Sequence, residues 1–470
     1  MKYEIGMIGL GVMGRNLALN MERNGFGVIG FDIDPVKRQA AVEQFVGKQI
    51  SVAQSLSEFF AALRSPKIVW LMVPAGKPVD AVIDAIKSFL KPGDLIIDGG
   101  NSHFTDSERR WKSLKKEGLL FIGTGVSGGE EGALYGPSLM PGGEPAAWPL
   151  VENIFKTIAA KTDEGAVCAE WIGEGGSGHF VKMIHNGIEY ADMQMIGEAY
   201  FLMDRILHFK PEKMSAVFAR WNKGKLNSYL IDITARILAE KDTKTGKAMV
   251  DVILDRAGQK GTGKWAAQTA LDLGVPAQTF AEAVFARFMS ALKQERLMAS
   301  EILAGPKPDF TGDPQAFIDE IAQALYAAKI CSYAQGFQLM RSAGKAYGWK
   351  LNFASVASLW RAGCIIRAQF LDAIRHAFER NPELNNLLLD DYFKEILVQT
   401  HPIWRRVIIR AVEFGVPVPA LSSALAYYDS YRSARLPANL LQAQRDYFGA
   451  HTFERIDAPE GRFFHHQWNG

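Results

Sequence analysis

The sequence predicts an α/β domain built on a parallel sheet, then a large all-α domain, then a short C-terminal tail. Three observations predict it. The first third alternates short β-rich runs with helical stretches, the pattern of strands joined by crossover helices. From His179 to about Tyr431 the periodicity is helical, with few credible strands. After Arg435-Leu436-Pro437 the composition shifts to aromatics, Arg and His.

In the first third, Ile5–Ile8, Val28–Phe31, Ile68–Val73, Leu95–Asp98 and Leu119–Ile122 are the candidate strands, each ending near Gly, Pro or Asp. The Gly-rich stretch Gly173–Gly178 marks a boundary, so the expected units are residues 1–176, 177–434 and 435–470. A chain of 470 residues, at roughly 150 per domain, leads to the same number. His179 to His208 forms one Pro-free, apolar-rich run, longer than an ordinary surface helix. Gly187 and Gly197 inside it each cost about 1 kcal/mol relative to Ala, so packing or a ligand must require the missing side chain.

Trp221-x-x-Gly224 recurs as Trp360-x-x-Gly363 after a second long helical run. Duplication of a helical half-domain and chance similarity between amphipathic helices both explain it. In the tail, Tyr447, Phe448, Phe453, Phe463, Phe464 and Trp468 are too apolar for a free solvated segment, and another subunit is the economical surface to bury them. His465 and His466 receive no role.

Hydrophobic residues make up 48% and charged residues 22%, which favours a large core over disorder. Lys+Arg 53 against Asp+Glu 51 leaves +2, which excludes a strongly basic nucleic-acid binder but permits a local basic pocket. No apolar run approaches the roughly 20 residues that span a bilayer. Met1 to Leu10 reads as a first strand and lacks the features of a signal peptide. Cys168, Cys331 and Cys364 lie far apart, form no C-x-x-C pair and suit a reducing compartment. The expectation is a soluble, cytoplasmic protein with no metal, nucleic-acid or membrane partner.

Gly9-Leu10-Gly11-Val12-Met13-Gly14 follows the first strand directly and opens the helical pattern Arg15–Asn24. Alone, such a run is a weak signal. Between strand and helix it predicts a Rossmann-type dinucleotide site, because backbone must approach a pyrophosphate with no Cβ in the way and a helix N-terminus must face it. The second strand ends at Asp32, whose carboxylate can accept from both adenosine ribose hydroxyls and would repel a 2′-phosphate; Asp34 adds a second negative charge. NAD is therefore expected over NADP. Lys37 and Arg38 lie close enough in sequence to rescue a phosphate, and Asp32 as a mere turn cap is the alternative.

The sharpest feature is Lys182-x-x-His185-Asn186-x-x-Glu189-Tyr190. These spacings put Lys182, His185, Asn186 and Glu189 on one helical stripe, flanked by Phe180, Val181, Met183, Ile184 and Ile188. A solvated face stabilised by Lys–Glu pairing gives the same spacing. The mixture of cation, imidazole, amide and carboxylate favours convergence on a small polar ligand, and a desolvated lysine moves towards a neutral general base. Asp98-Gly99-Gly100-Asn101-Ser102 and Val126-Ser127-Gly128-Gly129-Glu130-Glu131-Gly132 are Gly-rich loops that could face this seam, or plain turns. Gln259-Lys260-Gly261-Thr262-Gly263-Lys264 has the parts of a phosphate cradle without P-loop spacing; a solvated basic turn is the other reading.

Taken together, these blocks resemble the 6-phosphogluconate dehydrogenases, the decarboxylating enzymes of the pentose phosphate pathway. The resemblance runs nearly end to end. It rests on Gly9–Gly14, Gly99–Ser102, Val126–Gly143, Gly178 through Tyr190, Ala257–Trp265, Phe285-Ala286-Arg287 and the tail run Gln444–His451. It implies oxidation of the hydroxyl at carbon three, loss of carbon dioxide and reprotonation of the enol to ribulose 5-phosphate. Lys182 would be the base and Glu189 the acid. Asn101, His185 and Asn186 would position the reacting hydroxyls, and Ser127, Gly128 and Gly129 would hold the carboxylate. Tyr190, Lys260, Thr262, Arg287 and Arg445 would bind the phosphate, with His451 also reaching the substrate. The Gly9–Gly14 residues, Asp32, Val73, Pro74, Ala75 and Asn101 would hold the cofactor.

The resemblance further implies a homodimer whose tails complete each other's sites. No metal is required, since a cation hydrogen-bonded to the ketone suffices for a β-keto acid to lose carbon dioxide. The NADP-dependent members carry Asn-Arg-Thr where this chain has Asp32-Ile33-Asp34, and Lys-Ala-Gly where it has Pro74-Ala75-Gly76, so NAD use is implied with NADP as the alternative. Two rival readings remain. A β-hydroxy acid dehydrogenase acting on a non-phosphorylated acid would share the lysine helix but lack the Lys260–Lys264 loop and the Arg445–His451 tail. A non-catalytic dinucleotide-binding scaffold would have no need of Lys182 and Glu189.

Overall fold

Apolar runs bounded by turn residues become the strands of one sheet. They are β1 Ile5–Ile8, β2 Val28–Phe31, β3 Ile50–Val52, β4 Ile68–Leu71, β5 Leu95–Asp98, β6 Leu120–Ser127, β7 Ser138–Gly143 and β8 Gly173–Glu174. The computed structural model describes residues 2–468. The strand order is β3-β2-β1-β4-β5-β6-β7-β8, parallel throughout except that β6 and β7 run antiparallel. Every residue of β1, β4 and β5 is buried, as expected where helices cover both faces.

Alternation divides the core in two. Ile5, Met7, Trp70, Leu95 and Ile97 pack on one face, while Ile8, Val69, Leu71 and Ile96 pack on the other. The order switches direction between β1 and β4, so the loops after these two strands frame the crevice where doubly wound sheets take their ligands.

The departures from the predicted strands have local causes. β4 stops at Leu71, two residues short, because Met72 and Val73 turn into the loop facing Gly9. β6 runs on to Ser127, so Val126 and Ser127, the first residues of the expected Gly-rich loop, are strand residues. Three strands of this sheet were not anticipated. β3 is only three residues long, β7 is Ser-Leu-Met-Pro-Gly-Gly and reads as a turn, and β8 lies inside the stretch taken as a boundary.

The long helix runs Ser177–Leu207, close to the expected span, and ends with His208 in the left-handed conformation at φ 53°. A second long helix, Pro314–Tyr347, packs against it, and Gly336 of that helix admits Ile184 and Ile188. Gly187 also has a packing reason, since a Cβ there would press on Ala266 and Phe280. At Gly197 nothing lies within 4 Å of where its Cβ would be, so packing among the described residues is not what requires a glycine there. Each long helix is followed by two shorter ones: Pro211–Trp221 and Tyr229–Ala239 after the first, Phe353–Leu359 and Leu371–Arg380 after the second. Ser228 and Ala368, which precede the last helix of each set, form an antiparallel bridge.

The chain divides into two compact units, Met1–Ala424 and Leu425–Gly470. The second contains the helix Ala438–Gly449 and an antiparallel pair, Phe453–Glu454 with Phe463–Phe464. Its organising residue is Asp446, fully buried, which accepts from the Thr452 and His466 N–H groups, His465 Nδ1 and Trp468 Nε1 at 2.8–3.0 Å. Burial alone would raise its proton affinity, but these donors hold the carboxyl well below the usual range. His465 therefore has a role that its sequence neighbourhood did not suggest. Among the described residues no helix is long and apolar enough to cross a membrane.

Candidate active site

The crevice begins at the loop after β1. A Cβ on Gly9, which sits at φ 100°, would collide with Met72 O, and one on Gly14 would collide with Gly9 O, so the fold itself requires both glycines. Gly11 differs. Nothing lies within 4 Å of its missing Cβ, and it caps the helix Val12–Arg23 without a side-chain hydrogen bond. Open backbone at a helix N-terminus fits a pyrophosphate. Leu10 and Gly14 are buried and Val12 is exposed, while Val73 borders both Gly9 and Gly100, so the Gly9–Gly14, Val73–Ala75 and Gly99–Ser102 loops form one rim.

Asp32 does what the turn-capping alternative supposed. Its Oδ2 accepts from Leu10 N at 2.8 Å and its Oδ1 from Asp34 N at 2.9 Å. Each oxygen keeps a second lone pair, so ribose recognition is still open to it. Arg38 Nη1 donates to the Asp32 and Ile33 carbonyls at 2.8 and 3.2 Å, and Lys37 is exposed.

The polar seam is buried. Lys182 is 5% exposed and His185 0%, which rules out a solvated face. Gly125 on β6 lets the Lys182 stem lie directly on the strand, and Gly123 does the same for the His179 ring. Lys182 Nζ lies 3.3 Å from His185 Nδ1, and His185 Nε2 lies 3.1 Å from Ser127 Oγ at the end of β6. Asn186 Nδ2 donates to Glu189 Oε2 at 3.3 Å, with His185 Nδ1 at 3.6 Å from the same oxygen. Asn186 Oδ1 is buried with no partner among the described residues.

Burial sets the protonation tendencies. It pushes the Lys182 amine down, with nearby Glu189 opposing, and it pushes the Glu189 carboxyl up against the pull of Lys182 and Arg287. Burial and the adjacent Lys182 hold His185 well below its ordinary value, as a neutral imidazole.

Beyond Glu189 the seam meets a second cluster. Tyr190 stacks under the Arg287 guanidinium at 3.7 Å and packs against Gly263, the second residue of the helix Thr262–Asp272. Thr262 is buried and Lys260, just ahead of the helix, is exposed. Arg287 Nε is buried with no partner among the described residues, while Nη1 donates to Ala283 O at 3.2 Å. Gly128 and Gly129 take φ 126° and 63°, and Asn101 is exposed. Arg445 and His451 belong to the second compact unit and are exposed there; Arg445 Nη1 donates to Gln442 Oε1 at 3.1 Å.

Residues 4–173 match the NAD binding domain of 6-phosphogluconate dehydrogenase, and residues 178–468 match the C-terminal domain of the same enzyme. The chain belongs to the 6-phosphogluconate dehydrogenase family. It is 54% identical over 469 residues to the NADP(+)-dependent, decarboxylating 6-phosphogluconate dehydrogenase of Bacillus subtilis, covering 99% of each chain. It is 52% identical over 483 residues to the Saccharomyces cerevisiae 6-phosphogluconate dehydrogenase, decarboxylating 1, covering 100% of this chain and 98% of that one. A solved structure of the Plasmodium falciparum 6-phosphogluconate dehydrogenase, whose cofactor is NADP+, superposes with a TM-score of 0.95 at 41% identity, covering 99% of this chain and 100% of that one.

Sequence spacing missed one buried residue that ties two loops of this rim together. Arg110, 3% exposed, donates to Asp80, Asp98, Ser102 and the Gly76 carbonyl, at 2.7, 3.3, 3.2 and 3.0 Å. Its guanidinium joins the loop after β4 to the loop after β5. Its only sequence signal was an Arg on the apolar side of a short helix.

Proposed function

We propose that the chain oxidises and decarboxylates 6-phosphogluconate to ribulose 5-phosphate and carbon dioxide, with NAD preferred over NADP. The observation that carries this reading is the buried Lys182–His185–Ser127 chain with Glu189 beside it. A bound nicotinamide supplies the hydride acceptor. Lys182, its charged form disfavoured by burial, takes the proton of the carbon-three hydroxyl. The resulting ammonium then hydrogen-bonds the ketone oxygen, drawing in the electron pair that the departing carboxylate leaves behind. Glu189, whose carboxyl holds its proton more tightly than usual, delivers that proton to the enol carbon.

His185 is neutral, so an ammonium at Lys182 donates to Nδ1 and the imidazole proton sits on Nε2, towards Ser127. Asn101 and Asn186 orient the hydroxyls, and Ser127, Gly128 and Gly129 hold the carboxylate. Tyr190, Lys260, Thr262 and Arg287 take the phosphate, with Arg445 and His451 arriving from a second copy of the chain. The exposed Tyr447, Phe448 and Phe463 of the tail support a homodimer, because they need a surface to cover them.

The NAD preference rests on Asp32, whose carboxylate stands just after β2 where a 2′-phosphate would be repelled; of the Arg38 guanidinium, Nη1 is given to the Asp32 and Ile33 carbonyls, while Nε has no partner among the described residues. Three free, buried cysteines suit the reducing cytoplasm. The test is absorbance of the reduced nicotinamide with 6-phosphogluconate and NAD, repeated with NADP. Turnover with a higher kcat/KM for NAD is expected. No turnover with either cofactor would overturn the reaction, and a clear NADP preference would overturn the cofactor assignment alone.

A further inference from the structure

One buried ion pair is not used by the chemistry above. Lys329 Nζ, on the second long helix, lies 2.8 Å from Asp192 Oδ2 on the first, with side-chain exposures of 1% and 2%. Asp192 follows Glu189 by three residues, so the two carboxyl groups share one face of the Ser177–Leu207 helix. Asp192 Oδ1 is buried with no partner among the described residues, leaving this pair's negative end incompletely compensated. Lys329 approaches from the neighbouring helix, with the Phe370 ring 6.0 Å from its ammonium.

A buried ion pair gives little net stability, because desolvating two charges offsets most of their attraction. Its position one turn behind Glu189 gives it another use. We propose that Asp192 and Lys329 are positioning residues for the candidate acid: Lys329 fixes the buried Asp192 carboxylate one helical turn from Glu189, so that a negative charge stands on the same face as the acid. This inference rests on the reading of Glu189 as the acid.

The other groups around Glu189 are Lys182 and His185 on its own helix, Arg287 on the helix Gln278–Ala291, and Tyr333 on the second long helix. Burial is the largest influence keeping the proton on Glu189; Lys182 and Arg287 favour the carboxylate, and Asp192 adds a smaller contribution on the side of burial. Tyr333 is neutral, its ionisation suppressed by burial and by Asp192, and its hydroxyl donates to Ile366 O at 3.1 Å. Asp192 is thus the anion that works against two cations.

The test is the alkaline limb of the kcat–pH profile, where loss of the Glu189 proton ends turnover. Asp192→Asn removes the anion and leaves the Lys329 cation, so the limb should move to lower pH. Lys329→Met frees the anion, so the limb should move to higher pH. The exchange Asp192→Lys with Lys329→Asp keeps a pair but puts the cation beside Glu189; it should behave like Asp192→Asn, and it covers the case in which a single variant fails to fold. A purely structural pair would lower activity or stability without moving the limb in opposite directions. Unmoved limbs, or limbs that all move the same way, overturn the inference if Glu189→Gln has lost turnover. If Glu189→Gln turns over like the unaltered enzyme, the acid assignment fails and the inference falls with it.

Discussion

The two ends of the candidate substrate site are built differently. At the reacting end, Lys182, His185 and Ser127 are buried and already joined to one another, and β6 glycines hold the lysine stem against the sheet. At the proposed phosphate end, Lys260 is exposed and Arg287 has an unpartnered Nε, and Arg445 is proposed to come from a second copy of the chain. Proton transfer needs groups whose affinities are tuned by dry, fixed surroundings, so the fold completes that end itself. Recognition of a dianion can wait, because the phosphate gathers its own cations when it arrives.

That contrast predicts a ranking of effects. Lys182→Met removes base and electrophile together, so kcat should fall by about a thousandfold or more while the circular dichroism spectrum is unchanged. Turnover near that of the unaltered enzyme would discard the assignment. Arg445→Ala should chiefly raise KM for 6-phosphogluconate, by about tenfold or more, with kcat much less affected, since the phosphate is remote from the reacting carbon. An unchanged KM counts against the tail.

Two milder variants sharpen the comparison at the cofactor loop. Gly11→Ala should raise KM for the nicotinamide cofactor several-fold without lowering Tm, because its Cβ meets no protein atom. Gly9→Ala should lower Tm, because its Cβ meets Met72 O and its φ is positive. A Tm loss at Gly11 as large as at Gly9 would erase the distinction between a glycine kept for a ligand and one kept for the fold.

The smallest effect concerns Glu198. It is buried on the long helix, accepts from the Ala420 and Leu421 N–H groups at 2.8 Å, and is pushed up by burial to about 7. The unfolded chain releases this proton first, near the ordinary 4.5, so this group's contribution to stability should decline as pH rises from about 4.5 to about 7 and then level off. Glu198→Gln should flatten that slope in urea midpoints measured across pH 5 to 8, and an unchanged slope would assign it to other groups.

Much of this was legible in the residues. Gly9–Gly14 between strand and helix, the apolar runs of β1, β2 and β5, and the helical spacing of Lys182, His185, Asn186 and Glu189 are all local patterns, and local patterns survive folding when packing agrees with them. What escaped was pairing over long distances in sequence. Ser127 and His185 are 58 residues apart, and Asp192 and Lys329 are 137 apart. No periodicity rule reaches so far. β7 escaped for a different reason: its Pro141, Gly142 and Gly143 carry turn propensity, and pairing with β6 and β8 overrides it. His465 could not be assigned because its partner Asp446 lies on the far side of a loop.

The account depends on an amine that must lose and regain a proton at Lys182. Lys182→Arg tests this most directly, because guanidinium keeps the positive charge but does not give up its proton. With cofactor and 6-phosphogluconate saturating, reduced nicotinamide should form about a thousandfold more slowly than with lysine, while cofactor binding measured by fluorescence is retained. Formation within a few-fold of the unaltered rate would contradict the role of Lys182 as the base.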